Sequence, residues 1–332
     1  MKILVTAAQG KVFERHFPKD MRDALALMGE VEYNPYTRPF TREELAQRLA
    51  DTDIVVTHWG TPQIDAQMLD GAPRLKLIAH AAGTVAHIAS EAFYERGIPV
   101  LSANSVMAGY VAEGVLGYML CGCRHLLQLD ASTRQGKWER RLDEAYSMLG
   151  GEIGLIGLGT VGRRLLELLR PFRCTVHVYD PYVVPEALAA WPFAHLCSFE
   201  EAMSQRVVSV HAAQTPETYH MIDARALSML PDGGVLINSA RGSLVDTKAL
   251  IAQLQAGRIY AVLDVYEEEG EGKLDPALLS CRAHSVLLPH VAGGPAGAQM
   301  TQAIIDDMGR FLRGEEMQLK ISLAQYRLMT QE

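Results

Sequence analysis

The segment EIGLIGLGTVGR, residues 152–163, constrains the fold more than any other part of this sequence. It places a G-x-G-x-x-G pattern at Gly157, Gly159 and Gly162, between an apolar run and an amphipathic helical pattern. The next apolar run, CTVHVYD, ends in Asp180, which follows Gly162 by 18 residues. A strand, a glycine-rich turn, a helix and a second strand with an acidic end together predict a dinucleotide-binding βαβ unit.

Each small residue of this turn has a physical reason to be there. Gly157 permits the tight turn, Gly159 lets the backbone approach a pyrophosphate, and Gly162 lets the helix pack close to the strand. Thr160 and Val161 begin the helix, whose free N–H groups would bind the pyrophosphate. All five residues are therefore candidates for binding a cofactor.

The residue at the end of the second strand predicts which dinucleotide binds. Asp180 can accept hydrogen bonds from both ribose hydroxyls of NAD, and its charge would repel the 2′-phosphate of NADP. Pro181 and Tyr182 follow and supply no compensating arginine. We therefore expect NAD to be preferred over NADP. The alternative is that Asp180 only caps a turn before Pro181.

Apolar runs alternate with helical patterns along the whole chain, which predicts an α/β fold with two doubly wound parallel sheets. A helical pattern spans about residues 105–129, a second series of strands begins near Gly150, and a last helix covers about residues 296–312. The predicted strands are Ile3–Thr6, Val31–Tyr33, Ile54–Thr57, Leu75–Ala79, Pro99–Leu101, Ile153–Gly157, Thr175–Tyr179, Val207–His211, Val235–Asn238, Ile259–Asp264 and Ser285–Leu288.

Length and composition narrow the class of protein. The chain has 332 residues, which fits two domains, and 48% of them are hydrophobic. A net charge of -8 argues against binding to a nucleic-acid backbone. No uninterrupted apolar run is long enough to span a membrane, and the opening MKILVT is expected to form a strand rather than a signal peptide.

The five cysteines are sparse and show no C-x-x-C spacing, which indicates reduced thiols in a cytoplasmic protein. Cys121 and Cys123 lie in an apolar helical stretch, so we expect buried core thiols there, with a metal-ligand pair as the alternative. The sequence predicts no metal site.

Three further segments follow predicted strands, and they carry a resemblance to a known family. They read VLINSARGSLVD (residues 235–246), AVLDVYEEEG (residues 261–270) and LLPHVAGG (residues 287–294). With the glycine pattern in mid-chain, the sequence from Leu75 to Gly294 resembles the D-isomer-specific 2-hydroxyacid dehydrogenases. The resemblance implies a small 2-hydroxy or 2-keto acid as substrate.

The resemblance also implies a catalytic set. Arg241 matches the arginine that holds the substrate carboxylate, Glu269 a glutamate beside the catalytic histidine, and His290 that histidine. The chemistry needs such a set, because reducing a ketone requires an acid near the oxygen and a planar guanidinium fits a carboxylate. Alone, each would be an ordinary surface or structural group, and the neighbouring Glu267 and Glu268 leave the register of Glu269 open.

Four positions match residues near the cofactor in this family. Asp264 matches a residue near the nicotinamide carboxamide and His211 one near the ribose, while Ala240 and Gly293 lie beside the catalytic positions. Asp264 would otherwise be a strand-end cap, and His211 an ordinary strand-end histidine.

One loop departs from the family pattern. Gly83 and Thr84 occupy part of a Gly-Val-Gly turn whose backbone N–H groups bind the substrate carboxylate, and Ala86 and His87 replace Asp-Asn. Backbone donors need no particular side chain, so Gly83 and Thr84 remain candidates, but the substrate's identity is not implied. Trp59 is expected either in the same cleft or in a core or interface.

The resemblance further implies how the chain is organised. A Rossmann cofactor domain, residues 104–292, would be inserted into a flavodoxin-like substrate domain, residues 1–103 and 293–332, with the active site between them. A homodimer would form through the cofactor domain, with residues 136–146 and Trp138 as the contact. The alternatives are a non-catalytic NAD-sensing regulator and a formate or phosphite dehydrogenase on the same fold.

Overall fold

The chain forms two compact α/β units in the computed structural model, which describes residues 1–140 and 144–329. One unit comprises Met1–Ala108 and Pro295–Glu332, and the other comprises Gly109–Gly294. Every strand pair in both units is parallel. The predicted α/β class with two doubly wound sheets is therefore confirmed.

The first unit contains a five-stranded sheet in the order β2-β1-β3-β4-β5, the flavodoxin-like order. Its central strands β3 and β4 are buried at every residue, as expected when helices cover both faces. The strands are β1 (Lys2–Val5), β2 (Glu30–Tyr33), β3 (Ile54–Thr57), β4 (Leu77–His80) and β5 (Val100–Ser102). The helices are Lys11–His16, Lys19–Met28, Arg42–Leu49, Ala66–Asp70, Glu91–Glu95, Gly297–Arg313 and Leu323–Arg327.

The second unit contains a seven-stranded sheet in the order β12-β11-β10-β9-β6-β7-β8. β7 and β8 extend from one side of β6, and β9 to β12 extend from its other side, so the strand order reverses at β6. This is the Rossmann arrangement, which binds ligands at the carboxyl ends of the strands beside that reversal. The strands are β6 (Glu152–Ile156), β7 (Thr175–Tyr179), β8 (Ala194–Leu196), β9 (Val207–Val210), β10 (Gly234–Asn238), β11 (Ile259–Leu263) and β12 (Ser285–Leu287). The helices are Leu126–Arg134, Thr160–Leu169, Phe199–Met203, Ala224–Met229, Thr247–Gln255 and Pro276–Ser280, with short 3-10 turns at Arg170–Phe172, Pro185–Leu188 and Gly242–Leu244.

The prediction of one helix over residues 105–129 is wrong, because the segment forms two helices. The first is Asn104–Cys123, and the second begins at Leu126. His125 lies between them in the left-handed conformation, at φ 50°, and its ring centre lies 4.0 Å from that of Tyr260. The break coincides with a ring contact to a residue far along the chain, which the local sequence does not signal.

Helix Asn104–Cys123 is long and apolar enough, by length and composition, to cross a membrane. Within the second unit it packs directly on the sheet. A Cβ at Gly122 would lie 2.7 Å from Val235 Cγ1 and 3.1 Å from Val262 Cγ2, and one at Gly114 would lie 3.0 Å from Ala292 O. These contacts are those of a core helix in a Rossmann domain.

The five cysteines are free thiols. Cys123 is buried, and burial raises its pKa to about 12, while Cys121 is half-buried.

Candidate active site

The glycine turn after β6 is shaped by two close backbone approaches. Gly157 has φ +94°, and a Cβ there would lie 2.6 Å from the backbone nitrogen of Ala212. A Cβ at Gly162 would lie 2.8 Å from the carbonyl oxygen of Gly157. No larger residue fits either position without moving backbone, which is why the sequence carries glycine there.

Gly159 differs from its two neighbours, since a Cβ there would meet no described atom within 4 Å. It is the N-cap of helix Thr160–Leu169, and no side chain in residues 1–140 and 144–329 caps this terminus. The first N–H groups of the helix, at Thr160 and Val161, therefore have no side-chain cap, and Gly159 adds no Cβ beside them. This arrangement fits the pyrophosphate of a dinucleotide.

Asp180 directly follows β7, and its side chain contacts the glycine turn at Leu158. Its Oδ2 accepts a 2.7 Å hydrogen bond from the Leu158 N–H, and its Oδ1 accepts a 2.9 Å bond from the Tyr182 N–H. The turn-capping contact is therefore present. Each carboxylate oxygen keeps a further lone pair, so the residue also fits a ribose diol.

Two more residues expected to bind the cofactor, His211 and Ala240, follow the neighbouring strands β9 and β10. The His211 N–H donates to the Ile156 carbonyl at 2.7 Å, which places His211 beside Gly157. Its Nε2 lies 2.8 Å from Ser209 Oγ, and burial lowers its pKa to about 4, so the ring is neutral at physiological pH. The Ala240 N–H donates to Asn238 Oδ1 at 3.1 Å, which holds that loop against β10.

His290 and Glu269 form a hydrogen-bonded pair. His290 Nδ1 lies 2.9 Å from Glu269 Oε2, and both side chains are nearly half exposed. A carboxylate only accepts, so Nδ1 carries the proton of this bond and Nε2 is left for another partner. The Tyr266 N–H donates to Glu269 Oε1 at 3.2 Å and orients the carboxylate.

The geometry also separates Glu269 from its acidic neighbours. Glu267 accepts a hydrogen bond from Thr247 and lies 3.2 Å from His220 Nε2. Burial raises the pKa of Glu267, but the hydrogen bonds from Thr247 and His220 outweigh it and lower that pKa overall. Glu267 therefore binds Thr247 and His220, and Glu269 is the glutamate of this acidic run that contacts His290.

The loop that carries His290 is held by Asp264. The Asp264 side chain is fully buried at the end of β11, and its two oxygens accept 2.8 Å bonds from the N–H groups of Val291 and Ala292. His290 precedes them at φ +54°, the left-handed region that costs a non-glycine residue about 1 kcal/mol or more. The strand-end cap considered from the sequence is therefore present, and it holds the backbone next to His290. Gly293 is the next residue of the loop, half-buried in a turn.

Arg241 lies on a loop that packs against the Glu269 loop. A Cβ at Gly242 would collide with the backbone of Tyr266 and Glu267, so glycine is required for this approach. Asn238 Nδ2 donates to the Arg241 carbonyl at 2.9 Å, and the Arg241 guanidinium donates to the Ala240 carbonyl at 2.8 Å. The three candidate catalytic residues therefore lie on three loops joined by direct contacts within the second unit.

The remaining candidates lie in the first unit. The Gly83 carbonyl accepts a 2.5 Å hydrogen bond from Ser102 Oγ, and Thr84 Oγ1 accepts one from the Ala86 N–H at 3.3 Å. Trp59 is 42% exposed, and its ring centre lies 4.6 Å from that of His58.

Sequence reasoning missed a buried histidine cluster in this unit, formed by His16, His58 and His80. His16 Nδ1 lies 3.0 Å from His58 Nε2. Burial lowers the three pKa values, to about 4 for His16 and about 3 for His58 and His80. Isolated histidines far apart in the sequence give no pattern from which this cluster could be found.

The comparisons with known proteins identify the family of the chain. Residues 116–292 match the model of the D-isomer specific 2-hydroxyacid dehydrogenase NAD-binding domain. The chain belongs to the D-isomer-specific 2-hydroxyacid dehydrogenase family. The resemblance found in the sequence is therefore confirmed.

Individual members of this family align over most of the chain. It is 32% identical over 317 residues to a glyoxylate reductase of Thermococcus gammatolerans, which covers 92% of this chain and 93% of that protein. It is 31% identical over 298 residues to a D-3-phosphoglycerate dehydrogenase of Methanocaldococcus jannaschii, covering 88% of this chain and 56% of that protein. The chain thus spans little more than half the length of that second relative. A crystal structure of a Thermus thermophilus protein superposes with a TM-score of 0.73 at 28% identity, over 97% of this chain and all of that one.

Proposed function

We propose that this chain is an NAD-dependent enzyme that interconverts a 2-keto acid and a D-2-hydroxy acid. The observation that carries the proposal is the 2.9 Å hydrogen bond between His290 Nδ1 and Glu269 Oε2. It leaves Nε2 as the atom that exchanges a proton with the substrate oxygen. Bound NADH would supply the hydride to the substrate carbon.

The residues of the chain have separate tasks in this reaction. The Arg241 guanidinium binds the substrate carboxylate through its planar pair of N–H groups. In the reducing direction His290 gives the Nε2 proton to the carbonyl oxygen as negative charge develops there, and in the oxidising direction Nε2 takes it back. Glu269 holds the ring and stabilises the imidazolium. Gly83 and Thr84 are proposed to bind the carboxylate through backbone N–H groups.

We propose that NAD is preferred over NADP because of Asp180. Its carboxylate at this strand end would repel a 2′-phosphate, and Pro181 and Tyr182 offer that phosphate no positive charge. The open N-terminus of helix Thr160–Leu169 supports the position of the pyrophosphate beside Gly159.

We also propose a cytoplasmic homodimer. The free cysteines support a reducing compartment. Trp138, 81% exposed in the arm expected to make the dimer contact, supports an interface there. Residues 141–143 of that arm lie outside the described residues. Size-exclusion chromatography with light scattering, on the wild type and on Trp138→Ser, measures the association state, and a monomeric wild type contradicts the proposal.

A panel of 2-keto acids with NADH and with NADPH, followed by loss of reduced-cofactor absorbance, tests the function. We expect turnover of at least one keto acid with NADH, and formation of the D-isomer on chiral analysis of the product. Tight NADH binding with no turnover of any keto acid would favour the NAD-sensing regulator instead. Oxidation of formate or phosphite would favour the other alternative on this fold.

A further inference from the structure

Three potential metal ligands meet at the edge of the sheet in the second unit, away from the carboxyl ends of the strands. His177 on β7 and His195 on β8 are direct partners in the strand register. Glu201 lies on helix Phe199–Met203, which packs on β6 so closely that a Cβ at Gly154 would collide with the Ala202 carbonyl. The neighbouring strand and the packed helix thus bring two imidazoles and one carboxylate to one place.

The distances among these three groups fit a single small cation. His177 Nδ1 lies 3.1 Å from His195 Nε2 and 3.2 Å from Glu201 Oε1, and the last two atoms lie 3.8 Å apart. Ligand atoms at about 2.0–2.1 Å from a tetrahedral zinc ion are separated by about 3.4 Å. A point about 2 Å from all three atoms exists close to their plane, so no ligand needs to move far to bind.

Hydrogen bonding alone satisfies this arrangement poorly. An imidazole nitrogen carries either one proton or one lone pair, so His177 Nδ1 can make a good hydrogen bond to only one of its two close partners. A cation instead uses the lone pairs of all three atoms together. The site also differs from a solvated group of surface carboxylates, because two of its three ligands are histidines paired across neighbouring strands.

The second nitrogen of His177 also supports a metal site. His177 Nε2 is buried and has no hydrogen-bond partner in the described part of the chain. When Nδ1 binds a cation, Nε2 carries the proton, and Glu152 Oε1 lies 4.0 Å from it. Metal-bound histidines commonly donate their other N–H to an outer carboxylate, and Glu152 could accept this bond after a shift of about 1 Å.

We propose that His177, His195 and Glu201 bind a divalent transition cation of the zinc type, with Glu152 as the outer carboxylate of His177. Two nitrogen ligands and one oxygen favour zinc or cobalt over magnesium or calcium. The side chains of His195 and Glu201 are about half exposed, so water can complete the coordination. The ion would join the edge strand β8 and helix Phe199–Met203 to β7, which is followed directly by Asp180.

The test uses the full chain after removal of metal with a chelator. Zn²⁺ is added to the reduced protein, binding is measured by calorimetry, and Co²⁺ is added separately to record visible absorption in the region typical of tetrahedral sites. We expect one Zn²⁺ per chain, a raised unfolding temperature and a tetrahedral Co²⁺ spectrum. Absence of stoichiometric Zn²⁺ binding overturns the proposal.

Variants locate the ion. Glu201→Gln and His195→Ala should each weaken Zn²⁺ binding by at least about tenfold, and Glu201→Gln keeps the shape of the side chain, so it should fold. Glu200→Gln is the matched control, because Glu200 lies next to Glu201 on the same helix but pairs with Arg225. Equal loss in the Glu200 variant, or no loss in the Glu201 variant, contradicts the ligand set.

Cys197 needs its own control, since it follows His195 by two residues. The Cys197 thiol is not one of the three groups whose ligand atoms meet at this place, which are those of His177, His195 and Glu201. Cys197→Ser should therefore retain Zn²⁺ binding, and loss of binding in that variant would show a thiolate site in place of the proposed one. None of these readouts depends on the enzymatic activity.

Discussion

Replacing Asp264 with asparagine should loosen the His290 loop and slow catalysis. The carboxylate accepts one hydrogen bond on each oxygen, from Val291 and from Ala292, and it is fully buried. The amide of Asp264→Asn keeps one acceptor, but its NH₂ group then faces the other backbone N–H. One charge-assisted bond is lost, and two buried donors, the amide NH₂ and the backbone N–H that it faces, are left without an acceptor.

The magnitude follows from those two losses. A hydrogen bond to a charged group contributes about 1.5–3 kcal/mol, and an unsatisfied buried donor costs about 1–3 kcal/mol. Local relaxation recovers part of this, so we expect the second unit to lose about 3 kcal/mol of unfolding free energy. The loop then no longer holds His290 in the left-handed backbone conformation, so the acid is misplaced. We expect kcat to fall by about 10- to 100-fold, which is about 1.4–2.7 kcal/mol of activation free energy.

Tryptophan fluorescence can follow each unit by itself during denaturation. Trp191 is buried in the second unit, whereas Trp59 lies in the first, so a Trp59→Phe, Trp138→Phe background reports the second unit alone. Keto-acid reduction in the presence of saturating NADH gives kcat for the same variants. Both quantities are needed, because a purely structural role for Asp264 would change stability only.

Asp307 offers a matched control in the first unit. It is also buried, and its two oxygens accept 2.8 Å bonds from the successive N–H groups of Gln318 and Leu319. Asp307→Asn should destabilise the first unit by a similar amount and leave kcat within about threefold of wild type. A kcat for Asp264→Asn that matches that of Asp307→Asn would refute the positioning role of Asp264.

Three further predictions concern charge. Glu269→Gln keeps an acceptor for His290 but removes its charge, so steady-state kcat should fall by about tenfold or more; an unchanged kcat contradicts the assigned role. Asp180→Asn removes the charge that opposes a 2′-phosphate, so the NADH/NADPH ratio of kcat/KM should fall by at least about tenfold; a constant ratio contradicts the NAD argument. The buried histidine cluster has folded pKa values of about 4, 3 and 3 against the ordinary 6.5, so the unfolded chain binds more protons below pH 6.5. The first unit should therefore lose unfolding free energy as pH falls from 6.5 towards 4, by up to about 1.4 kcal/mol per pH unit for each histidine. Denaturation followed by Trp59 fluorescence measures this loss, and an unfolding free energy that does not change with pH would contradict the prediction.

The sequence predicted most of the architecture because its signals are local. The glycine turn at Gly157 and Gly162 requires glycine for steric reasons that hold wherever a strand, a turn and a helix pack in this way. Strands buried on both faces leave continuous apolar runs, so their order along the chain could be recognised. The three-residue strand β8 and the five-residue helix Leu323–Arg327 were missed, because such short segments contain too few residues to show a period.

The parts of the site that depend on tertiary contacts were less predictable. The sequence left the register of Glu269 open, and only the fold determines that Glu267 turns to Thr247 while Glu269 reaches His290. The paired hydrogen bonds of Asp264 to the loop after His290 likewise join residues 27 and 28 positions apart. Interactions at that separation leave no local pattern, which also explains why His177 and His195 drew no attention.

The proton-transfer role of His290 is tested most directly by the effect of His290→Ala on reduction of the best 2-keto acid by NADH, measured together with NADH affinity. We expect kcat to fall by about 10²- to 10⁴-fold, the usual contribution of a positioned acid, while the NADH dissociation constant changes by less than about threefold. Reduction that survives at close to the wild-type rate would contradict His290 as the proton-transfer residue.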